Sequence, residues 1–304
     1  MKPEVSVIIP AKNSEAWIAE QLESLNNQID SPVFEVLVCD NGSTDNTVKI
    51  VQEFSSQFDL RVIDASGPQS ASYARNVGAK QARADILLFC DSDDYVNDIW
   101  VRELYNAYKL SKGALVSGAI HHNRFNSSIV LDAYGISDDP ESLGEITMIP
   151  EAPKYAGYLP TVPGGSFAFG KFDYLELGGM DYSYPGGAEE TDFSWRAQEA
   201  GHQVVVAPRA VIHYRLKHDA HSIFRQQRIQ HRARILLWMR YREKGMSGPS
   251  IKYSVIETLK SIPLAIKPQS RLKGMRILGG NIGALEGILK YRILKQRKKA
   301  SVSI

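Results

Sequence analysis

The sequence predicts an α/β fold, a mostly parallel β-sheet with helices on both faces, followed by a basic helical C-terminal tail. Three observations carry this expectation. Over residues 1–120 short apolar runs alternate with stretches of helical periodicity, the pattern of parallel strands joined by covering helices. The apolar runs stop at turn residues, and three of the first four such turns begin with aspartate. Charge divides the chain: residues 209–304 hold 22 Lys and Arg against 4 Asp and Glu, whereas residues 1–208 hold 14 against 30.

Each element follows from local pattern. VSVII (5–9) reads as a short buried strand, and Trp17, Ile18, Leu22 and Leu25 recur at helical spacing after it. FEVLVCD (34–40) is a second strand ending in the turn run DNGSTDN, where Thr44 or Asp45 is positioned to cap the helix TVKIVQEF. LRVID (60–64) is a third strand, and a helix through ASYARNVGAKQA leads into a fourth, DILLFCD (85–91). A helix over 97–111 and a strand over 114–120 complete the alternation. Residues 121–160 read as long loops over the sheet. Order resumes with TVPGGSFAFG, a short helix near FDYLEL, a GGMD turn, and a helix opening on Glu189 and Glu190 and stopping at Gly201. Strands over 203–208 and 211–214 follow. Trp17, Trp100 and Trp195 sit at helical core spacing and are expected inside.

Composition is that of an ordinary globular protein, with 43% apolar and 23% charged residues. Cys39 and Cys90 end apolar runs and match no metal or redox spacing, which points to a reduced, cytoplasmic setting. No segment reads as a signal peptide or reaches the ~20 apolar residues of a membrane-spanning helix.

The tail is read as a separate extension, residues 216–304, on a body of residues 1–215. Residues 221–244 and 271–299 mix Arg and Lys with Ile, Leu, Phe and Trp at helical spacing. Such helices lie in an anionic membrane interface, their cations snorkelling to headgroups. The plainer alternative is helices packed on the body with basic outer faces. A peripheral position at the cytoplasmic face of a membrane is the expectation.

In parallel sheets of this kind, ligands sit beyond the carboxyl ends of the strands. The residues there are Pro10–Asn13, Asp40–Gly42, Asp64–Gly67 and Asp91–Asp94, expected to form one site. In DSDD, an Asp-X-Asp turn brings two carboxylates to one side, where a hard divalent cation can offset their repulsion. By itself the pair is a weak signal, since Asp94 or Asn97 could simply cap the next helix.

Four ordered segments, VSVIIPAKN, VCDNGSTDNT, ARNVGAKQARADILLFCDSDD and GGMD…GGAEETDFSWR, resemble the family 2 glycosyltransferases over residues 5–215. The resemblance implies a GT-A, Rossmann-like fold, a nucleotide-sugar donor of the UDP or GDP type, a saccharide or lipid-linked acceptor, and Mn2+ or Mg2+. It implies that Pro10, Ala11, Asn13 and Asp40 line the base and ribose pocket, with Asp64 and Ser66 completing it. Arg75 would approach the base or diphosphate. Asp91 and Ser92 would face the donor, Asp91 and Asp93 would serve the metal, and His213 would add a ligand, with His218 and His221 as rivals. Asp181 would touch donor or acceptor hydroxyls.

The general base is expected in Glu189-Glu190-Thr191-Asp192. Glu190 aligns with the family's usual base, but the family's pattern is Glu-Asp-x-Asp, so Glu189 stays a candidate beside it. Asp192 stands four residues before Arg196 and is better explained as a structural ion pair. Two rival functions are weaker. A nucleotidyltransferase wants a glycine-rich basic loop after the first strand, and here that loop is PAKNSEAW. A nucleic-acid-binding module is opposed by the acidic body and the lack of any reading motif. A protein that binds the donor without turning it over also fits.

Overall fold

A computed structural model describes residues 2–136, 154–296 and 300–302. The body is built from β1 (Val5–Ala11), α1 (Ile18–Asn26), β2 (Phe34–Asp40), α2 (Thr47–Glu53), β3 (Asp59–Asp64), α3 (Ala71–Gln81), β4 (Ile86–Cys90), β5 (Tyr95–Val96), α4 (Trp100–Leu110), β6 (Leu115–His121) and α5 (Ser128–Tyr134). It continues through β7 (Ser166–Gly170), α6 (Lys171–Glu176), α7 (Glu189–Glu199) and β8 (Val204–His213). Then come α8 (Ala220–Tyr241), α9 (Ile251–Ile266) and α10 (Arg271–Gly287), the last running into a π-helical turn, Ile288–Ile293. The loop reading of 121–160 gives way to a strand end and α5 over part of its length; residues 137–153 of it, and 297–299 of the tail, lie outside the described residues.

The eight strands form one sheet in the order β3-β2-β1-β4-β7-β6-β8-β5. β1 is buried along its whole length because it lies between β2 and β4, parallel to both, which is why VSVII reads as continuous rather than alternating. Its exception, Ser6, donates to Glu35 Oε1 at 2.7 Å, and that fully buried carboxylate also accepts from Arg61 at 2.7 Å and the Arg83 N–H at 2.6 Å. A buried charge is tolerated when every lone pair is used this way. Successive residues of β1 and β2 enter two cores, one beneath α1 and α4 and the other beneath α3, α6 and α7.

The parallel pattern breaks at β7, which runs antiparallel between β4 and β6. The two expected strands after residue 203 are one, β8, with a register shift opposite Gly118 and Ala119. The N-cap of α2 is Asn46, without a side-chain cap bond, and not Thr44 or Asp45; Asp45, one residue earlier, accepts from the Thr47 N–H at 3.0 Å and its hydroxyl at 2.6 Å. Trp100 and Trp195 are fully buried, but Trp17 is 41% exposed. It sits at the N-terminal end of α1 with the Arg215 guanidinium 4.5 Å from its ring centre.

The expected break at 215/216 is not a break in packing. α8 buries Ala233, Ile235, Leu236 and Leu237 in a third core shared with Trp195 of α7 and Tyr184. Of the two readings of the tail, packing on the body therefore holds for α8 and α10. No helix among the described residues is long and apolar enough to cross a membrane.

Candidate active site

A cleft of about 440 Å3 opens at the carboxyl ends of β1 and β4. Of the predicted residues it is lined by Pro10, Arg75, Asp91, Ser92, Asp93, Glu189 and Glu190. Four separate elements deliver them. β1 supplies Pro10, α3 supplies Arg75, the turn after β4 supplies the aspartates, and α7 supplies the glutamates.

The acid cluster is larger than the Asp91–Asp93 pair, because Asp94 does not cap the next helix. Asn97 does not cap it either: its side chain bridges the Arg209 carbonyl and the Val211 N–H. Asp94 is buried at 2% exposure, and its Oδ1 takes only a long bond from the Arg215 N–H, 3.4 Å. Its Oδ2 is buried with no hydrogen-bond partner among the described residues. Each aspartate has one cationic neighbour: Arg75 pairs with Asp91, Lys217 stands 3.6 Å from Asp93, and Arg215 adjoins Asp94. Burial, then the charge of Asp91, still holds the Asp93 and Asp94 carboxyls above the usual carboxylate range. Arg75 also faces Glu189 and Glu190, and Arg215 is also paired with Glu20, so among the described residues the five carboxylates at the cleft outnumber the three cations beside them. Gly165 seals it from above, since a Cβ there would lie 2.9 Å from Asp91 Oδ2 and 3.2 Å from Asp94 Oδ2.

The donor chemistry fits a hard cation: oxygen-only ligands, an orphaned buried carboxylate oxygen, and a charge deficit. Among the described residues no three His, Cys, Asp or Glu side chains converge as a ready cage. That suits a Mg2+- or Mn2+-like ion that takes one or two carboxylates and completes its shell from substrate phosphates.

Opposite the aspartates, Gly186, Gly187 and Ala188 all have positive φ (109°, 103° and 73°) and swing the chain into the first turn of α7. Left-handed backbone at a residue other than glycine is strained, and such strain collects at functional sites. It places Glu189 and Glu190 half-buried at the helix start, beside Arg75. Burial first, and Glu190 second, push the Glu189 carboxyl up to about 7, and burial likewise raises Glu190. Glu189 Oε2 is buried without a hydrogen-bond partner among the described residues. Asp192 points away, bound to Arg196 at 2.8 Å and to the Tyr184 and Tyr241 hydroxyls at 3.1 Å each, as the spacing predicted.

Other predicted residues stay outside the cleft. Ala11 is buried. Asn13, with φ 51°, holds the neighbouring turn by accepting from the Thr44 N–H at 2.8 Å. Asp40 accepts from the N–H groups of Gly42 and Ser43 at 3.3 and 3.1 Å, and Ser66 is exposed with its N–H on Asp64. These flank the cleft on the β2–β3 side and do not line it. His213 is a correction. Its chain neighbours Ile212 and Tyr214 line the cleft, whereas His213 stands opposite Tyr95 and His121 in the strand ladders, its ring 6.1 Å from each of theirs. Alternation along the strand turns it to the other face. His218 and His221 do not line the cleft either. Asp181 is a second correction. It is fully buried and bound to Arg240 at 2.5 Å, the Ser183 N–H at 2.8 Å and the Ser301 N–H at 2.9 Å, so no oxygen is left to meet a sugar.

The structure also adds residues that the sequence did not mark. Ser14 and Ser92 share a hydrogen bond of 2.8 Å, tying the first strand end to the fourth. Tyr214 and Gln230 close the far wall. Gln230 comes from α8, so the tail helps build the cleft, and its Cγ lies 3.1 Å from where a Cβ on Gly187 would stand. Glu190 and Gln230 also line an adjoining recess of about 230 Å3 with Tyr155, Thr191, His231 and Arg234. No local pattern announces a glutamine on a basic helix as a wall of a cleft some 140 residues upstream of it in chain order.

The comparisons agree with this architecture. Residues 6–176 match the model of glycosyl transferase family 2. A poly(ribitol-phosphate) β-N-acetylglucosaminyltransferase, TarS of Staphylococcus aureus, is 45% identical over 98 residues, 30% of this chain and 16% of that protein. The chain thus spans well under two thirds of that relative. A crystal structure of TarS residues 1–349 with UDP superposes with a TM-score of 0.56 at 18% identity, over 95% of this chain and 91% of that one. A mannosyltransferase from Pyrobaculum calidifontis, solved with GDP-Man and Mn2+, gives 0.61 at 18% identity over 95% and 88%. At such identities the superpositions speak for the fold alone, which is of the GT-A type. The family match covers more than half of the chain: it belongs to glycosyl transferase family 2.

Proposed function

We propose that this chain is a metal-dependent, inverting glycosyltransferase that moves a sugar from a UDP- or GDP-type nucleotide sugar to a saccharide or lipid-linked acceptor. The observation that carries the reading is the pairing, across one cleft, of three clustered aspartates with two half-buried glutamates, more carboxylates than the neighbouring cations offset. The relatives' structures with UDP and with GDP-Man and Mn2+ support the donor class.

Asp91 and Asp93 would hold a Mn2+ or Mg2+ ion, which when bound offsets charge on a departing diphosphate. Arg75, fixed by Asp91, adds a second positive group beside the same phosphates. Glu190 borders both the cleft and the recess beyond it, so its carboxylate can take the proton of an acceptor hydroxyl. The acceptor oxygen bonds to the anomeric carbon as the bond to the diphosphate breaks on the opposite side, with inversion. Burial, then the charge of Asp91, keeps the affinity of Glu190 for a proton high. The buried free cysteines suit a reducing cytoplasmic setting, and the excess of Lys and Arg over residues 216–304 suits an anionic membrane surface as partner.

Turnover of a panel of UDP- and GDP-sugars with and without Mn2+ tests the proposal. The expected result is metal-dependent release of nucleoside diphosphate and an inverted product. Asp93→Ala and Glu190→Gln should each lower kcat by roughly 10²–10⁴-fold. Wild-type rates in both variants, or release of pyrophosphate from a nucleoside triphosphate instead, would sink it.

A further inference from the structure

α9 is built inside out. Its buried positions are Ser254 and Ser261, and a Cβ added to Gly274 of α10 would stand only 2.2 Å from the Ala265 nitrogen. The large apolar side chains instead face away from the protein. Ile251, Val255, Leu259, Ile262 and Ile266, at i, i+4, i+8, i+11 and i+15, fall on one stripe and are 43–73% exposed. α10 packs on α8 in the same manner: Cβ atoms on Gly279 and Gly283 would lie 2.5 Å from the Phe224 oxygen and 2.1 Å from the Arg228 oxygen. Close backbone packing through small residues, with large apolar groups turned outward, is the habit of helices whose surroundings are lipid. A water-facing helix has the opposite arrangement.

The charges around the stripe identify the surroundings. Lys252, Lys260, Lys267, Arg271 and Lys273 are all exposed on or just after α9, and Glu257 is its one acid, bound to Lys260 at 3.0 Å. The stripe is too short to span a bilayer and is apolar on one side only.

We propose that α9 docks in the plane of an anionic lipid bilayer, its apolar stripe at the boundary between headgroups and acyl chains and its lysines on lipid phosphates. The docking site is thus α9, not α8, whose Ile235, Leu236, Leu237 and Met239 sit in the third core, nor α10, none of whose large apolar side chains is exposed. α9 also lines, through Tyr253 and Ser254, a cavity of about 250 Å3 that shares His231 and Arg234 with the recess beside Glu190. Docking would bring that route to the membrane, which favours a lipid-linked acceptor; this consequence rests on the transferase reading, and the docking does not.

Co-sedimentation of the full chain with phosphatidylcholine vesicles containing about a third phosphatidylglycerol, an anionic lipid, is the test. Wild type should bind these at least tenfold more than pure phosphatidylcholine vesicles. Leu259→Asp with Ile262→Asp should lose at least tenfold of that binding, and Lys252→Glu with Lys267→Glu should lose a similar share at low salt. Both pairs are exposed, and unchanged circular dichroism and metal-dependent donor turnover would show that fold and catalysis persist. Binding that both double variants retain, or no binding by wild type, overturns the proposal. So does a concentration-dependent dimer without vesicle binding, lost in the Leu259 and Ile262 variant, which would assign the stripe to a second copy of the chain. Vesicle binding without sugar transfer would leave docking in place and remove the transferase reading.

Discussion

The carboxylates of the cleft are the residues at which function and stability oppose one another. Glu189 is held near 7 against an ordinary 4.5, by burial and then by Glu190. The folded chain binds this proton more tightly than the unfolded chain, so its contribution to stability is complete below pH 4.5 and is lost as pH rises through 7. Glu189→Gln should therefore raise stability at pH 8 by about 2 kcal/mol and leave it unchanged at pH 4.5, read by urea melts at both values. Activity should run the other way. Glu190 must be ionised to accept a proton, and its carboxyl is raised, so kcat should climb on an acid limb shifted above the usual carboxylate range and Glu190→Gln should abolish that limb. Asp91, Asp93, Arg75 and the glutamates were legible because they stand in short ordered motifs. Asp94, Ser14 and Gln230 were not, because their part depends on which strand ends and helices meet. His213 and Asp181 were misplaced for the same reason: a motif gives chain position, while strand alternation and a distant arginine decide where the side chain ends up.

At the scale of elements, two joints hold the cleft in shape. Gly165 lies against the acid cluster, and Gly165→Ala would push a methyl group to within 2.9 Å of Asp91 Oδ2. Overpacking of this kind costs about 1–3 kcal/mol; the expected outcome is a lowered Tm together with weakened metal dependence, measured by a Mn2+ titration of turnover. The second joint is Asp181–Arg240, which ties the loop after α6 to α8. Removing one partner strands a buried charge, so Arg240→Met should destabilise the fold by about 3–5 kcal/mol, measurable by chemical denaturation. Strands and helices of the first 120 residues were readable from apolar period. β7 was not recognisable as antiparallel, because a buried antiparallel strand and a buried parallel one present the same continuous apolar run. The length of β8 was hidden by its own irregularity, a register shift beside Pro208 and Arg209 that splits its pattern in two.

For the whole molecule, the tail is the part most changed by folding. Truncation before residue 216 would uncover Trp195 and Tyr184 and strip Gln230 from the cleft. The truncated chain is expected to bind a hydrophobic dye and to lose turnover, and a soluble, active product would contradict the shared core. The sequence by itself determined the α/β class, the order of the strands that carry the site, and the acidic and glutamate motifs, since apolar period and turn chemistry are local properties. Only the tertiary structure decided that Asp94 joins the cluster, that His213 and Asp181 leave the site, and that α8 becomes its wall. It alone decided which apolar face of the tail remains uncovered. All four depend on contacts between residues far apart in the chain, and a one-dimensional pattern carries no record of them.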